Sequence, residues 1–367
     1  MTIFSKHLIV ATAMPTLLTG CDTTQSYEQP LSINAPCLVH KNTFCIAKPH
    51  PIKPLIASAS YDKTVKIWQQ NTGEVIQKLA HPDGVPALAF SPDGKYLVTG
   101  SYDNVVRLCD LQSGRLIRSL NGHTQIVWST SFAPDGKSFA SVGADDTIWL
   151  WNFDTGKGKK LGQHDGDAWG VTYSPDSKYV LSSGEDDLIK IWQISNGNLV
   201  NTLDAHTGAV LNIVFSHDGT KMASGGDDYT IKLWNTQNWD VTSTFSGNVY
   251  SVYGLAFSPD DKLLVSGGRD KGLFGEFLQY HFDYKSDENS VTMQMWDLEQ
   301  KTLVKQFNGH SDNVNNIEFS RDGQFIISSG ADGKVIFWDA KKLTLLKLIN
   351  YDRMHVTYME ELKMISR

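Results

Sequence analysis

One unit recurs seven times along this chain, and that periodicity limits the fold more than any other property of the sequence. It is clearest in residues 122–151, GHTQIVWSTSFAPDGKSFASVGADDTIWLW, where His123, Ser141, Asp145 and Trp151 set the frame. A His stands 22 residues before an Asp at His40 and Asp62, His81 and Asp103, His123 and Asp145, His164 and Asp186, His206 and Asp228, and His310 and Asp332. Asn248 fills the same slot ahead of Asp270. Four residues before each Asp lies a hydroxyl, at Ser58, Thr99, Ser141, Ser182, Ser224, Ser266 and Ser328. Six residues after it lies Trp68, Cys109, Trp151, Trp192, Trp234 or Trp338, with Trp296 displaced by an insertion.

Inside each unit the apolar pattern has the period of strands. Val127 opens one short run, Phe139 a second, and Ile148 and Leu150 alternate with Trp149 and Trp151 in a third. Between the first two lies a tight four-residue turn of the Ser-Pro-Asp-Gly kind, at 91–94, 133–136, 174–177, 216–219, 258–261 and 320–323. A fourth run such as 115–120 completes the unit before the next His. Four short antiparallel strands every 41 or 42 residues describe one blade of an all-β propeller.

The Gly-His opening, the Ser-Pro-Asp-Gly turn, the Asp-containing turn and the closing Trp338-Asp339 resemble the WD-repeat family, over residues 38–349. The resemblance implies a seven-bladed β-propeller with four antiparallel strands per blade. It implies that the His, Ser or Thr, Asp and Trp of each unit form a buried hydrogen-bonded chain. Asn248 and Cys109 depart from that pattern, so the chains of blades 2 and 6 are expected to be incomplete. Ser, His and Asp also compose a nucleophilic triad, but an active site is needed once, whereas a device written into every blade serves structure. No motif cradles phosphate, holds a metal or calls for a cofactor.

A formal net charge of −7 with no Lys or Arg block argues against nucleic acid as a partner. The first 21 residues, MTIFSKHLIVATAMPTLLTGC, have one Lys and an apolar run over 8–18, too short to span a bilayer but fitted to the core of a secretory signal. Leu18-Thr19-Gly20-Cys21 resembles the lipobox of bacterial lipoproteins. This implies cleavage before Cys21, acylation of that Cys and a place on the extracytoplasmic side of a bacterial membrane. Asp22 resembles an inner-membrane retention signal. A leader that is not processed would instead make the chain a cytoplasmic scaffold. Residues 1–20 are thus read as signal peptide, 21–30 as lipidated Cys and polar tether, 31–349 as propeller and 350–367 as tail. Cys37 and Cys45 could close a small loop in an oxidising compartment or stand as two buried thiols; Cys109 takes a buried Trp slot.

Either run 31–37 or run 343–349 could be the outer strand of the last blade; the C-terminal one is longer and more apolar and is preferred, with ring closure left open. Pro49, Pro51 and Pro54 imply an irregular connection in blade 1. In blade 6 the segment 271–290, with Phe277, Tyr280 and Phe282 among its aromatics, is expected to form a protruding hairpin, serving a partner or folded onto its own blade.

The family pattern places the His connections and Asp turns on one face. Five residues after each His slot lie Cys45, Pro86, Trp128, Trp169, Leu211, Tyr253 and Asn315, at the channel mouth. Tyr61, Tyr102, Glu185, Asp227 and Arg269 immediately precede Asp slots. Aromatics with acids on one rim suit capture of a protein or peptide, although some rings could fill space between blades. The expectation is a monomeric, non-catalytic scaffold touching membrane only through its lipid. A ligand-binding or catalytic channel would need converging His, Asp or Arg, and only Arg269, Glu185 and Asp227 come close.

Overall fold

The computed structural model describes residues 45–248, 251–268, 291–349 and 356–358. Every regular element among them is a β-strand, and the strands form seven antiparallel sheets, six of them meanders of four neighbours in chain order and the seventh a meander of five. Blade 3 shows the plan, with Val127–Phe132, Ser138–Gly143, Thr147–Asn152 and Gly158–Gln163 running from the inside outward. The second strand is buried along nearly its whole length and the fourth is mostly exposed. That gradient explains why second strands are built of small and β-branched residues such as FASVG and LIASAS: neighbours cover both of their faces.

The core lies between blades. Trp151 packs with Val106, Leu108 and Leu120 of blade 2, and Trp234 with Leu181 and Ile191 of blade 4. The Trp of each frame therefore seals the interface with the preceding blade. The ring closes in the same way, because Trp68 and Ile56 of blade 1 pack with Ile327, Val335 and Phe337 of blade 7. Polar contacts reinforce that seam: Ala47 N donates to Ser329 Oγ at 3.0 Å, and Asn316 Nδ2 to Ala47 O at 2.9 Å.

A meander of four strands puts alternate connections on opposite faces, so the His connections and Asp turns share one face and the Ser-Pro-Asp-Gly turns occupy the other. In the latter, Ser91 Oγ donates to Asp93 Oδ1 at 2.6 Å and accepts from Tyr96 N at 2.9 Å. Blade 1 lacks this turn, and His50 stands in for it. Its Nδ1 accepts from Ile52 N and Lys53 N at 3.0 and 2.9 Å, and its Nε2 donates to Gly94 O at 2.9 Å. Gly94 is left-handed at φ 66°, and a Cβ there would strike the His50 ring, so both turns need that glycine.

The preferred outer strand is present, and one strand goes beyond the sequence reading. Thr344–Ile349, at the C-terminal end, is the fourth strand of blade 7; run 31–37 lies outside the described residues. A fifth strand, Val356–Tyr358, then pairs antiparallel with the end of that strand, within the stretch read as tail. Cys21, His40, Arg269, Asp270 and segment 271–290, with Phe277, Tyr280 and Phe282, also lie outside the described residues, as does any pairing of Cys37 with Cys45.

Candidate partner-binding face

The frame residues meet inside the blades. In blade 3, Trp151 Nε1 donates to Ser141 Oγ at 2.8 Å, Ser141 Oγ lies 2.8 Å from His123 Nε2, and His123 Nδ1 lies 2.9 Å from Asp145 Oδ1. The protons run one way: indole to serine, serine to Nε2, and Nδ1–H to carboxylate. Blades 4, 5 and 7 repeat the chain through His164 and Asp186, His206 and Asp228, and His310 and Asp332. Burial pushes the Asp145 carboxyl up, yet bonds from His123, Thr147 and Thr124 outweigh it and hold the acid well below its usual range. The arrangement has the connectivity of a catalytic triad, but Ser141 is wholly buried and an indole already occupies its oxygen, so no substrate reaches it. In blade 1, Trp68 Nε1 reaches Ser58 Oγ at 3.1 Å and Asp62 accepts from Thr64.

Blades 2 and 6 hold broken chains. In blade 2, His81 Nε2 meets Thr99 Oγ1 at 2.9 Å, but Arg107 takes Asp103, donating from Nη1 at 2.9 Å, and His81 Nδ1 has no partner. Burial and the nearby Arg107 charge pull the His81 pKa down to about 4. Burial also pushes the Cys109 thiol up to about 11, which leaves it inert. The diversion of Asp103 had a sequence signal, a cation four residues after the Asp at Lys66, Arg107, Lys190 and Lys232. In blade 6, Asn248 Oδ1 accepts from Ser266 Oγ at 3.0 Å, while Asn248 Nδ2 and Gln294 Oε1 face a cavity of about 20 Å³ without partners.

The channel mouth is built by β-bulges. Pairing between first and second strands skips Trp128, Trp169, Leu211, Tyr253 and Asn315, in blades 3 to 7 respectively. A bulged residue is released from the ladder and its side chain re-aimed. These five residues line a central cavity of about 950 Å³, together with Pro86, Tyr61 and Tyr102. Trp128 and Trp169 stack with centroids 5.1 Å apart, Tyr102 meets Trp128 edge-on at 5.6 Å, and Tyr61 lies 4.6 Å from Tyr102 with their hydroxyls hydrogen-bonded. Burial and that hydroxyl contact push the Tyr102 phenol well above its ordinary range. The rings therefore form one continuous arc.

Glu185 and Asp227 do not join the cavity wall. They are exposed farther out, Glu185 accepting from Asp167 N at 3.3 Å and Asp227 accepting from Ser251 Oγ. Sequence reading missed Asp167, whose Oδ2 accepts the Trp128 indole N–H at 3.0 Å. It also missed a pair inside the channel, Lys48 Nζ to Glu318 Oε1 at 2.6 Å, and Asn313 at the mouth beside the expected Asn315, where Asn313 Oδ1 and Asn315 Nδ2 lack partners. Burial, followed by the neighbouring charges of Asp167, Asp145, Asp165 and Glu185, raises the Asp146 carboxyl.

Seven bladed sheets and a buried Trp-Ser-His-Asp relay define a seven-bladed β-propeller. The family model for the WD domain, G-beta repeat, matches residues 37–69, 73–110, 114–152, 157–193, 197–235, 239–274 and 301–339, and the chain belongs to that family. WD40 propellers are typically protein-interaction scaffolds and generally non-catalytic. The chain is 38% identical over 103 residues to human WD repeat and SOCS box-containing protein 1, a match covering 27% of this chain and 24% of that protein. It is 34% identical over 101 residues to rat Striatin-3, covering 26% and 13%. The matched region thus spans a quarter or less of either relative's length.

Proposed function

We propose that this protein is a non-catalytic scaffold that holds protein or peptide partners against the face carrying the His connections. The observation that carries the reading is the arc of Tyr61, Tyr102, Trp128 and Trp169 at the mouth of a 950 Å³ channel, continued across the ring by Tyr253. Large amphipathic rings that are held in place yet reachable are strong anchors for a partner. Replacing Trp128, Trp169 and Tyr253 with Ala should leave the melting transition in place and remove partners that the unaltered protein captures on crosslinking. Unchanged capture would move the site elsewhere. The blade 6 segment 271–290, with Phe277, Tyr280 and Phe282, serves in this reading as a second contact beside Arg269, and its deletion should weaken capture without abolishing it.

The same proposal places the scaffold outside the cytoplasm, tethered by acyl chains on Cys21 and kept at the inner membrane by Asp22; its support is the sequence 18–22. Mass spectrometry of the mature N-terminus should find acylated Cys21. A chain beginning at Met1 would return the scaffold to the cytoplasm.

A further inference from the structure

We propose that the partner segment at the channel mouth is basic, with an arginine or lysine side chain seated against Trp128 and Trp169. This rests on the reading of that face as the partner site. Three features point to a cation. The two indoles are stacked and half-buried at the mouth, and ring faces attract cations. Asp167 accepts the Trp128 N–H, which fixes the ring and leaves a carboxylate at its edge. The connections around the pair carry Asp146, Asp165, Asp167, Glu185 and Asp187 with no lysine or arginine among them, and the Asp146 carboxyl, raised first by burial, is raised further by Asp167, Asp165 and Glu185. Lys190 reaches back from its strand but is spent on Asp186, at 2.9 Å.

Deeper in, the wall offers acceptors that nothing satisfies. Thr130, 7% exposed and two positions further along the same inner strand, lines the cavity with its hydroxyl unpartnered, and at the mouth Asn313 Oδ1 is unpartnered too. An ammonium or guanidinium brings only donors, so it matches these groups. Asn315 Nδ2, an unpartnered donor, suits a backbone carbonyl of the same segment. The Lys48–Glu318 pair is internally neutral and leaves the channel's net attraction to the acids at its mouth.

The test is titration of the intact protein with short capped Gly-Ser peptides bearing a central arginine, lysine, alanine or glutamate, read by calorimetry and indole fluorescence. The basic peptides should bind about tenfold more tightly than the alanine peptide, with the margin shrinking as salt rises. Asp167→Asn keeps an acceptor for Trp128 while deleting the charge, and should cost about tenfold for the basic peptides alone. Trp128→Ala should remove the preference. If Asp167→Asn does not fold, the salt dependence of the unaltered protein and Trp169→Ala decide in its place. Equal binding of basic and alanine peptides, or preference for glutamate, overturns the proposal. If the triple aromatic variant still loses its crosslinked partners in that case, the face stands and only its charge preference falls; if those partners persist, both readings fall.

Discussion

A histidine folded into a dry site as a neutral ring is a liability in acid, and the relay histidines differ in how well they are protected. His123 has a partner on each nitrogen; removing it leaves the Ser141 hydroxyl without an acceptor and takes one donor from Asp145. His123→Ala should therefore cost about 1–3 kcal/mol in urea unfolding. His81 has one partner and an orphaned Nδ1, so His81→Leu should cost less. The pH dependence follows from signs. Burial holds His50, His81 and His206 below their ordinary value of 6.5, so the unfolded chain takes protons first as pH falls. Their stabilisation is complete above 6.5 and drains away below it, down to about 4 for His81, whose share is on the order of 3 kcal/mol. Asp145, Asp186, Asp228 and Asp332 sit below 3.8 and lose their contribution only as pH drops under that value. Unfolding free energy against pH should fall in two stages, and His81→Leu should flatten the upper one. Cys109 and Asn248 marked the broken relays in the sequence. The capture of Asp103 by Arg107 was harder to read, because Lys190 on the same offset adds to Asp186 without displacing its His.

At the level of the element, the strands and their turns were legible because each copy repeats the same residue types at the same offsets. The bulges were not. An extra residue in an inner strand has no compositional mark, so the positions of Trp128, Trp169 and Tyr253 could be read from the repeat but not the reason for their reach into the channel. His50 escaped for a related reason: it replaces a turn with side-chain bonds that only three dimensions reveal. Several turns hold bulky residues left-handed, Lys63, Tyr229, Trp239 and Leu343 among them. Tyr229 holds a left-handed φ of 66° while 50% exposed, at the turn position where Asn104, Asp146, Asp187 and Gly333 stand in other blades. Asn tolerates that conformation better, so Tyr229→Asn should raise stability by about 0.5–1 kcal/mol in a thermal melt.

The ring has six covalently connected interfaces and one that is not, between blades 7 and 1. Ends of repeat arrays open most readily because a blade there is tied to the rest on one side only. Amide hydrogen exchange should accordingly be fastest, among equivalent strands, in Cys45–Pro49 and Phe325–Gly330, and slowest in blades 3 and 4. Uniform exchange around the ring would show that the seam of Trp68, Phe337 and Asn316 is as strong as a connected interface. The choice of outer strand could be weighed in the sequence by length and apolarity, but three residues such as Val356–Tyr358 are too few to announce a fifth strand. The bulges bear on the molecule as a whole in another way. Since Trp128, Trp169, Leu211, Tyr253 and Asn315 take no rung of the ladder, their identities can be exchanged with little damage to the sheets that carry them. Architecture and vocabulary are thereby uncoupled, and a library varied at those five sites alone should yield stable rings with new tastes.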